Sequence, residues 1–308
     1  MDESLKFSGV IPANILPFKA DLSIDDGAYR KHLRWLTDTP GVTAITVNGH
    51  AAEVSSLSRE ERRRALAIAL AEVGDRLPLI SGIYSDGTRE AIELARDAKA
   101  EGAAGILVLP PTLFMWGAQV KPDMPLRHFT AIAEAVDIPI VVFEYPLASG
   151  IGYKPETLAR LAMIPAVVAV KDWSNDIVAF EQNLRALRAT GRPVAMLSSF
   201  TMSLMATFVL GADGCISGMG SVAADLQAEL FAEVRKGELE GARRVNDRLD
   251  PLVRVFYAPP FVDMHNRMKE ALVLLGRIPA AHVRPPLTPV GDEERTSIRL
   301  ALQASGLL

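Results

Sequence analysis

Residues 166–173 read Ala-Val-Val-Ala-Val-Lys-Asp-Trp, AVVAVKDW, and the rest of the chain is best read outward from them. The first five are small, mostly β-branched and uninterrupted by polar groups, the pattern of a strand buried on both faces in a parallel sheet covered by helices. The run stops abruptly at Lys171. A lysine at the end of such a strand has two readings. In one it reaches solvent or pairs with Asp172; in the other a low-dielectric interior lowers its pKa and leaves a free amine able to attack a carbonyl.

The same apolar unit recurs along the 308 residues, at 10–16, 42–47, 79–83, 105–109, 138–143, 167–170, 194–197 and 214–217. Helix-like amphipathic stretches separate them, among them 59–73, 89–101, 126–136, 155–163 and 175–190. Ser58 with Glu61 forms a capping box at one helix start, and Lys154-Pro155-Glu156 places proline in the first turn of another. Gly74, Gly102, Gly191 and Gly211 each follow a helical stretch, where a left-handed cap is wanted. Eight βα units joined by right-handed crossovers close into a (β/α)₈ barrel, and no feature marks the switch point that an open doubly wound sheet requires. Gly218-Met219-Gly220 is a lone G-x-G with no dinucleotide fingerprint around it. Beyond about residue 235 the strand signals end, so a barrel over 1–235 and a C-terminal three-helix extension over 236–308 are expected, with helices at 238–255, 263–275 and 292–303.

Composition narrows the function. Hydrophobic residues make up 49% and charged residues 23%, enough apolar material for a large core. A net charge of -4 lacks the basic footprint of a nucleic-acid partner. The single cysteine, Cys215, supports neither an internal disulfide nor a cysteine-rich metal site. The five histidines, at 32, 50, 128, 265 and 282, are scattered without metal-ligand spacing, which weighs against a metal-dependent aldolase. No apolar run approaches membrane-spanning length, and the acidic start MDESLKFSG lacks the marks of a signal peptide, so no membrane partner and a cytoplasmic location are expected.

In a barrel the reacting groups stand at the carboxy ends of strands and in the loops after them. Besides Lys171, those ends offer Asn48-Gly49-His50-Ala51-Ala52-Glu53, Pro110-Pro111-Thr112 and Phe143-Glu144-Tyr145-Pro146. The Asn48-Gly49 turn suits a backbone cradle for a carboxylate. His50 is either a proton carrier near neutral pH or a hydrogen-bonded loop residue. Phe114, Met115 and Trp116, with Trp173 and Phe200, are candidates to line an apolar acceptor site, or to pack against neighbours or another subunit.

Over nearly its full length the chain resembles the dihydrodipicolinate synthase and N-acetylneuraminate lyase family of pyruvate-handling class I aldolases. The matching residues are 9–18 (GVIPANILPF), Gly49 to Glu53 before SSLSREER, Pro146 to Gly150 with Pro155-Glu156-Thr157, and VAVKDWSND around Lys171. The resemblance implies a TIM barrel with a helical tail, assembled as a homotetramer or homodimer. It implies a lyase acting on pyruvate or another 2-oxo acid through an imine at Lys171, with no cofactor and no metal.

Departures from the family pattern accompany the match. The G-[ST]-T-G-E loop becomes Gly49-His50-Ala51-Ala52-Glu53, Phe143 takes the catalytic tyrosine's place, and Pro111-Thr112 replaces the second relay tyrosine. His50 and Tyr145 are therefore the expected proton carriers beside Lys171, and Gly49, Ala51, Phe143 and Gly218 the substrate-binding positions. Ala148 stands where dihydrodipicolinate synthase carries an arginine for its aldehyde's carboxylate, so an aldolase, dehydratase or hydratase-aldolase other than that enzyme is expected. The alternative is a barrel that binds a keto acid without turnover.

Overall fold

The computed structural model describes residues 7–308; the acidic segment 1–6 lies outside them. The strands are β1 (Gly9–Pro12), β2 (Ile45–Val47), β3 (Leu79–Ile83), β4 (Gly105–Val108), β5 (Ile140–Glu144), β6 (Val167–Asp172), β7 (Ala195–Ser198) and β8 (Gly214–Ser217). After them in turn come α1 (Asp26–Asp38), α2 (Arg59–Val73), α3 (Thr88–Glu101), α4 (Asp123–Ala135), α5 (Pro155–Ala162), α6 (Ile177–Ala189), α7 (Leu204–Leu210) and α8 (Gly220–Lys236). All strand pairs are parallel, in the order β1-β8-β7-β6-β5-β4-β3-β2. The ring closes between β1 and β2, where Thr43 N–H donates to the Val10 carbonyl and Asn14 N–H to the Thr46 carbonyl, each at 3.0 Å. This is a (β/α)₈ TIM barrel.

The strand ends differ from their sequence pattern for local reasons. The first run extends in sequence to Leu16 but its ladder ends at Pro12, because Ala13 and Asn14 turn their N–H groups to opposite neighbours, Ser217 and Thr46. The capping box of Ser58 and Glu61 forms at the start of α2. Gly102 and Gly211 cap their helices in the left-handed region, whereas Gly74 stays right-handed, since the Val73 carbonyl is taken up by the Arg76 and Leu77 N–H groups.

Three more helices follow: α9 (Leu239–Phe256), α10 (Met264–Leu274) and α11 (Asp292–Ala304). In α9 the buried residues Ala242, Val245, Leu249, Leu252 and Phe256 recur every three or four positions and form one stripe, and the helix packs on α8 and α11. Helix α10 is anchored to the barrel by charge. Lys269 forms a buried ion pair with Glu53 in the loop after β2, and the second Glu53 oxygen accepts from Arg284 N–H at 2.9 Å. Burial pulls the Lys269 ammonium down to about 8 even with Glu53 beside it, so desolvation outweighs the attraction within the pair. Its worth is positional. Among the described residues no helix is long and apolar enough to cross a membrane.

Removing one partner of such a pair strands the other charge. Lys269→Met is expected to lower unfolding stability by about 3–5 kcal/mol, and Glu53→Gln with Lys269→Met to recover at least half of that loss. Urea denaturation of the two variants beside the parent checks both, and a double variant as unstable as the single would refute the account.

Candidate active site

Side chains alternate along β6, and the alternation separates the two neighbours Lys171 and Asp172. Asp172 turns outward to α6, where Asn183 Nδ2 donates to it at 2.8 Å and Ser174 N–H at 2.9 Å. Lys171 turns inward, is only 5% exposed, and pairs with no carboxylate among the described residues. The reading in which it meets Asp172 or solvent is thereby corrected. On the neighbouring strand Phe143 is in register with Lys171, and Nζ stands 3.7 Å from the centre of its ring. That ring stabilises the ammonium, but burial dominates and pulls the Lys171 pKa down to about 7.

The loop after β2 approaches from the opposite side of the barrel. Gly82 on β3 permits this: a Cβ there would lie 2.1 Å from the Asn48 carbonyl oxygen, so any other residue would push the loop away. Asn48, itself left-handed at φ 55°, donates from Nδ2 to the Arg62 carbonyl at 3.0 Å. Arg62 in turn donates to the Val54, Leu57 and Tyr84 carbonyls. On this scaffold residues 50–52 form a short 3₁₀ turn preceded by Gly49. The His50 and Ala51 N–H groups open the turn, ahead of its own hydrogen bonds.

His50 Nε2 is hydrogen-bonded to the Tyr145 hydroxyl. Burial, helped by the Lys171 charge, pulls the His50 imidazole down to about 4, and burial pushes the Tyr145 phenol well above its ordinary value. Near neutral pH the pair is thus an uncharged imidazole beside a protonated phenol. Phe143 lies between them and the lysine, its ring centre 4.4 Å from that of Tyr145 and 5.9 Å from that of His50. Glu144 holds this strand end from behind: its buried carboxylate accepts from Tyr153 N–H at 2.8 Å and is pushed well up by burial and by Asp172.

Lys171, Phe143 and His50 face one cavity of about 420 Å³. Of the residues singled out from sequence, Lys171, His50, Ala51, Phe143 and Gly218 all line it, Tyr145 joins through His50, and Gly49 immediately precedes the turn. The apolar residues expected at the acceptor end are placed differently. Only Trp173 lines the cavity; Phe114 is buried against His128 and Tyr153, Phe200 is buried elsewhere, and Met115 and Trp116 point outward. Thr112 bonds Asp86 rather than any of these groups. The wall is instead completed by Tyr257, Phe261, Val262, Met264, His265 and Leu287, all from the C-terminal extension. The local signal for them was the segment Pro259-Pro260-Phe261-Val262 leading into His265, which has apolar residues where a solvent loop would be polar. Among the described residues no group of three or more His, Cys, Asp or Glu is placed to hold a metal ion.

Comparison with known proteins places this geometry among relatives. The model of the dihydrodipicolinate synthetase family matches residues 6–305. The 4-hydroxy-tetrahydrodipicolinate synthase of Rhodopseudomonas palustris is 34% identical over 302 residues, covering 98% of each chain. Among solved structures, YagE, an E. coli prophage protein of the dihydrodipicolinic acid synthase family in complex with pyruvate, aligns with a TM-score of 0.89 and 28% identity over 98% of this chain and 99% of its own. The chloride-inhibited dihydrodipicolinate synthase of Acinetobacter baumannii, complexed with pyruvate, aligns with a TM-score of 0.88 and 29% identity over 98% and 100%.

Phe143 gives the site a direct test. Phe143→Leu keeps the surroundings apolar but removes the ring face that favours the ammonium, so the pH midpoint for reaction of the Lys171 amine should fall by about one pH unit. The pH dependence of amine modification, followed by peptide mapping, reads this, and an unchanged or higher midpoint would contradict it.

Proposed function

The chain belongs to the dihydrodipicolinate synthetase family, a family of lyases of the class I aldolase type, and from that premise we propose that it forms a Schiff base between Lys171 and pyruvate or a related 2-oxo acid. The observation that carries the reading is the buried amine of Lys171 at the inward end of β6, unpaired among the described residues and facing the cavity with a pKa near neutrality. The amine adds to the ketone carbon, the carbinolamine loses water, and the resulting iminium draws electrons from C3 so that a proton leaves and an enamine forms. The Tyr145–His50 pair is assigned these proton transfers, since Phe143 offers no exchangeable proton. The His50 and Ala51 N–H groups behind Gly49 suit the substrate carboxylate. Every step is supplied by the protein and the 2-oxo acid, without cofactor or metal.

The second substrate is not expected to be the aldehyde of dihydrodipicolinate synthesis. Ala148 is exposed in the turn Leu147–Ser149, and Lys171 is the sole lysine or arginine on the cavity wall among the described residues. The nearby Arg284 is occupied by Glu61 and by the Leu22 and Ser56 carbonyls. A carboxylate on the acceptor would find no guanidinium. An aldolase, dehydratase or hydratase-aldolase reaction fits better. The outward-facing apolar residues Leu113, Met115, Trp116 and Val120 support a homo-oligomer, and a cytoplasmic location agrees with the resemblance.

Incubation with pyruvate and borohydride should add one reduced pyruvyl group, mapped to Lys171 and absent from Lys171→Ala. Labelling of a different lysine, or none at saturating pyruvate, would sink the mechanism. Condensation of pyruvate with aspartate semialdehyde should be slow, because losing a charged hydrogen-bond partner costs about 2–5 kcal/mol of recognition. Efficient turnover in a coupled assay would restore dihydrodipicolinate synthesis as the activity. A protein that traps pyruvate yet turns over no acceptor would be a keto-acid-binding barrel.

A further inference from the structure

The end of the cavity away from Lys171 is built by chain outside the barrel. Arg267 donates to the Phe256 and Ala258 carbonyls and to Glu294, which fixes the connection between α9 and α10 over the barrel mouth. That connection presents Tyr257, Phe261 and Val262 to the cavity, and Leu287 closes it from the segment before α11. Phe261 and Val262 remain 42% and 63% exposed, an apolar surface facing an open site rather than packed in the core. Glu53 also lines the cavity, but its oxygens are taken by Lys269 and by Arg284 N–H.

His265 is the imidazole of this wall, which also holds Ser55, Ser199 and the Tyr257 phenol. It stands in the first turn of α10 over the end of β8, and a Cβ on Gly218 would lie 3.0 Å from its Nε2 and 3.1 Å from its Cδ2. The ring therefore rests against the glycine backbone, and among the described residues it forms no hydrogen bond. Burial first, then the charges of His50, Lys171 and Lys269, pull it down to about 3, so the ring is neutral and offers one donor and one acceptor. In the barrel order β1 lies between β8 and β2, and the chain just after it gives the cavity only Ala13. His50 and His265 thus flank an open gap, with Lys171 reaching in from β6.

We propose that His265 selects the second substrate, its ring hydrogen-bonding the carbonyl oxygen of an uncharged, apolar aldehyde whose body lies against Tyr257, Phe261 and Val262. This rests on the imine chemistry at Lys171. In the condensing direction C3 of the enamine bonds to the aldehyde carbon and the carbonyl π pair moves onto oxygen. That oxygen takes the proton that the Tyr145–His50 pair accepted from C3, so the step balances without another reagent, and cleavage is its reverse. An anionic aldehyde is disfavoured because its charge would be desolvated against Phe261, Val262 and Leu287, with no guanidinium on the wall among the described residues.

The test measures kcat/KM for benzaldehyde and for glyoxylate at saturating pyruvate, beside borohydride trapping with pyruvate alone, in the parent and three variants. The parent should prefer benzaldehyde at least tenfold. His265→Leu should lose about 10²-fold in kcat/KM for benzaldehyde while still yielding the adduct at Lys171, and His265→Gln, which keeps an N–H, should regain part of the loss. His265→Ala, which removes the ring, should move the same way and serves if His265→Leu does not fold. A parent that prefers glyoxylate, or His265→Leu and His265→Ala enzymes that retain benzaldehyde turnover while trapping pyruvate normally, would overturn the proposal. Absence of trapping in the parent would overturn it together with the imine reading.

Discussion

Among the described residues Lys171 is buried without a carboxylate partner, and the folded chain bears the cost of keeping an amine that is only 5% exposed. A charge so placed either finds a counter-ion or gives up its proton, and here the surroundings favour the second course. The groups near it conform. Phe143 provides a ring face, which steadies an ammonium without fixing it, and His50 and His265 are both held neutral. The acids on the strands beside Lys171 are kept away from it: Glu144 and Asp172, in register on adjacent strands, both turn outward and are themselves pushed up by burial, while Glu53, which lines the cavity, is paired with Lys269. The two-residue period of the strands thus sorts amine from acid at a single level of the barrel.

Closing the site is the task of the C-terminal helices. An open barrel mouth would leave Lys171 hydrated and its pKa near the ordinary value. The Glu53–Lys269 pair ties α10 to the loop that carries His50, so the roof and the proton-carrying turn share one anchor. Lys269 and Arg284 both also pass over the Phe18 ring, 4.3 Å and 4.4 Å from its centre, which connects the same anchor to the chain after β1.

Much of this was legible in the chain itself. The β-branched runs ending in polar turns located the eight strands, and AVVAVKDW placed Lys171 at a strand end because a short β-branched run without polar interruption reads as a strand buried on both faces. The spacing of Phe143 and Tyr145 put both rings on one face of β5, and Tyr145 does reach His50. What escaped reading was the cavity's far wall. Trp116 and Met115 had the chemistry of an acceptor site, but loop direction, which no local period encodes, turns them outward. His265 and Phe261 belong to a segment remote in sequence, and their place over β8 depends on how α9 packs against α8.

The account turns on the state of one amine. With the protein carrying ¹³C at the lysine ε-carbons, the resonance lost in Lys171→Ala identifies Lys171, and its chemical shift followed from pH 5 to 11 gives the pKa directly. A midpoint near 7 is predicted, the value burial imposes on this amine. A midpoint near 10.5, the ordinary value for lysine, would mean that Lys171 is hydrated and charged at neutral pH, and the imine mechanism would lose its nucleophile.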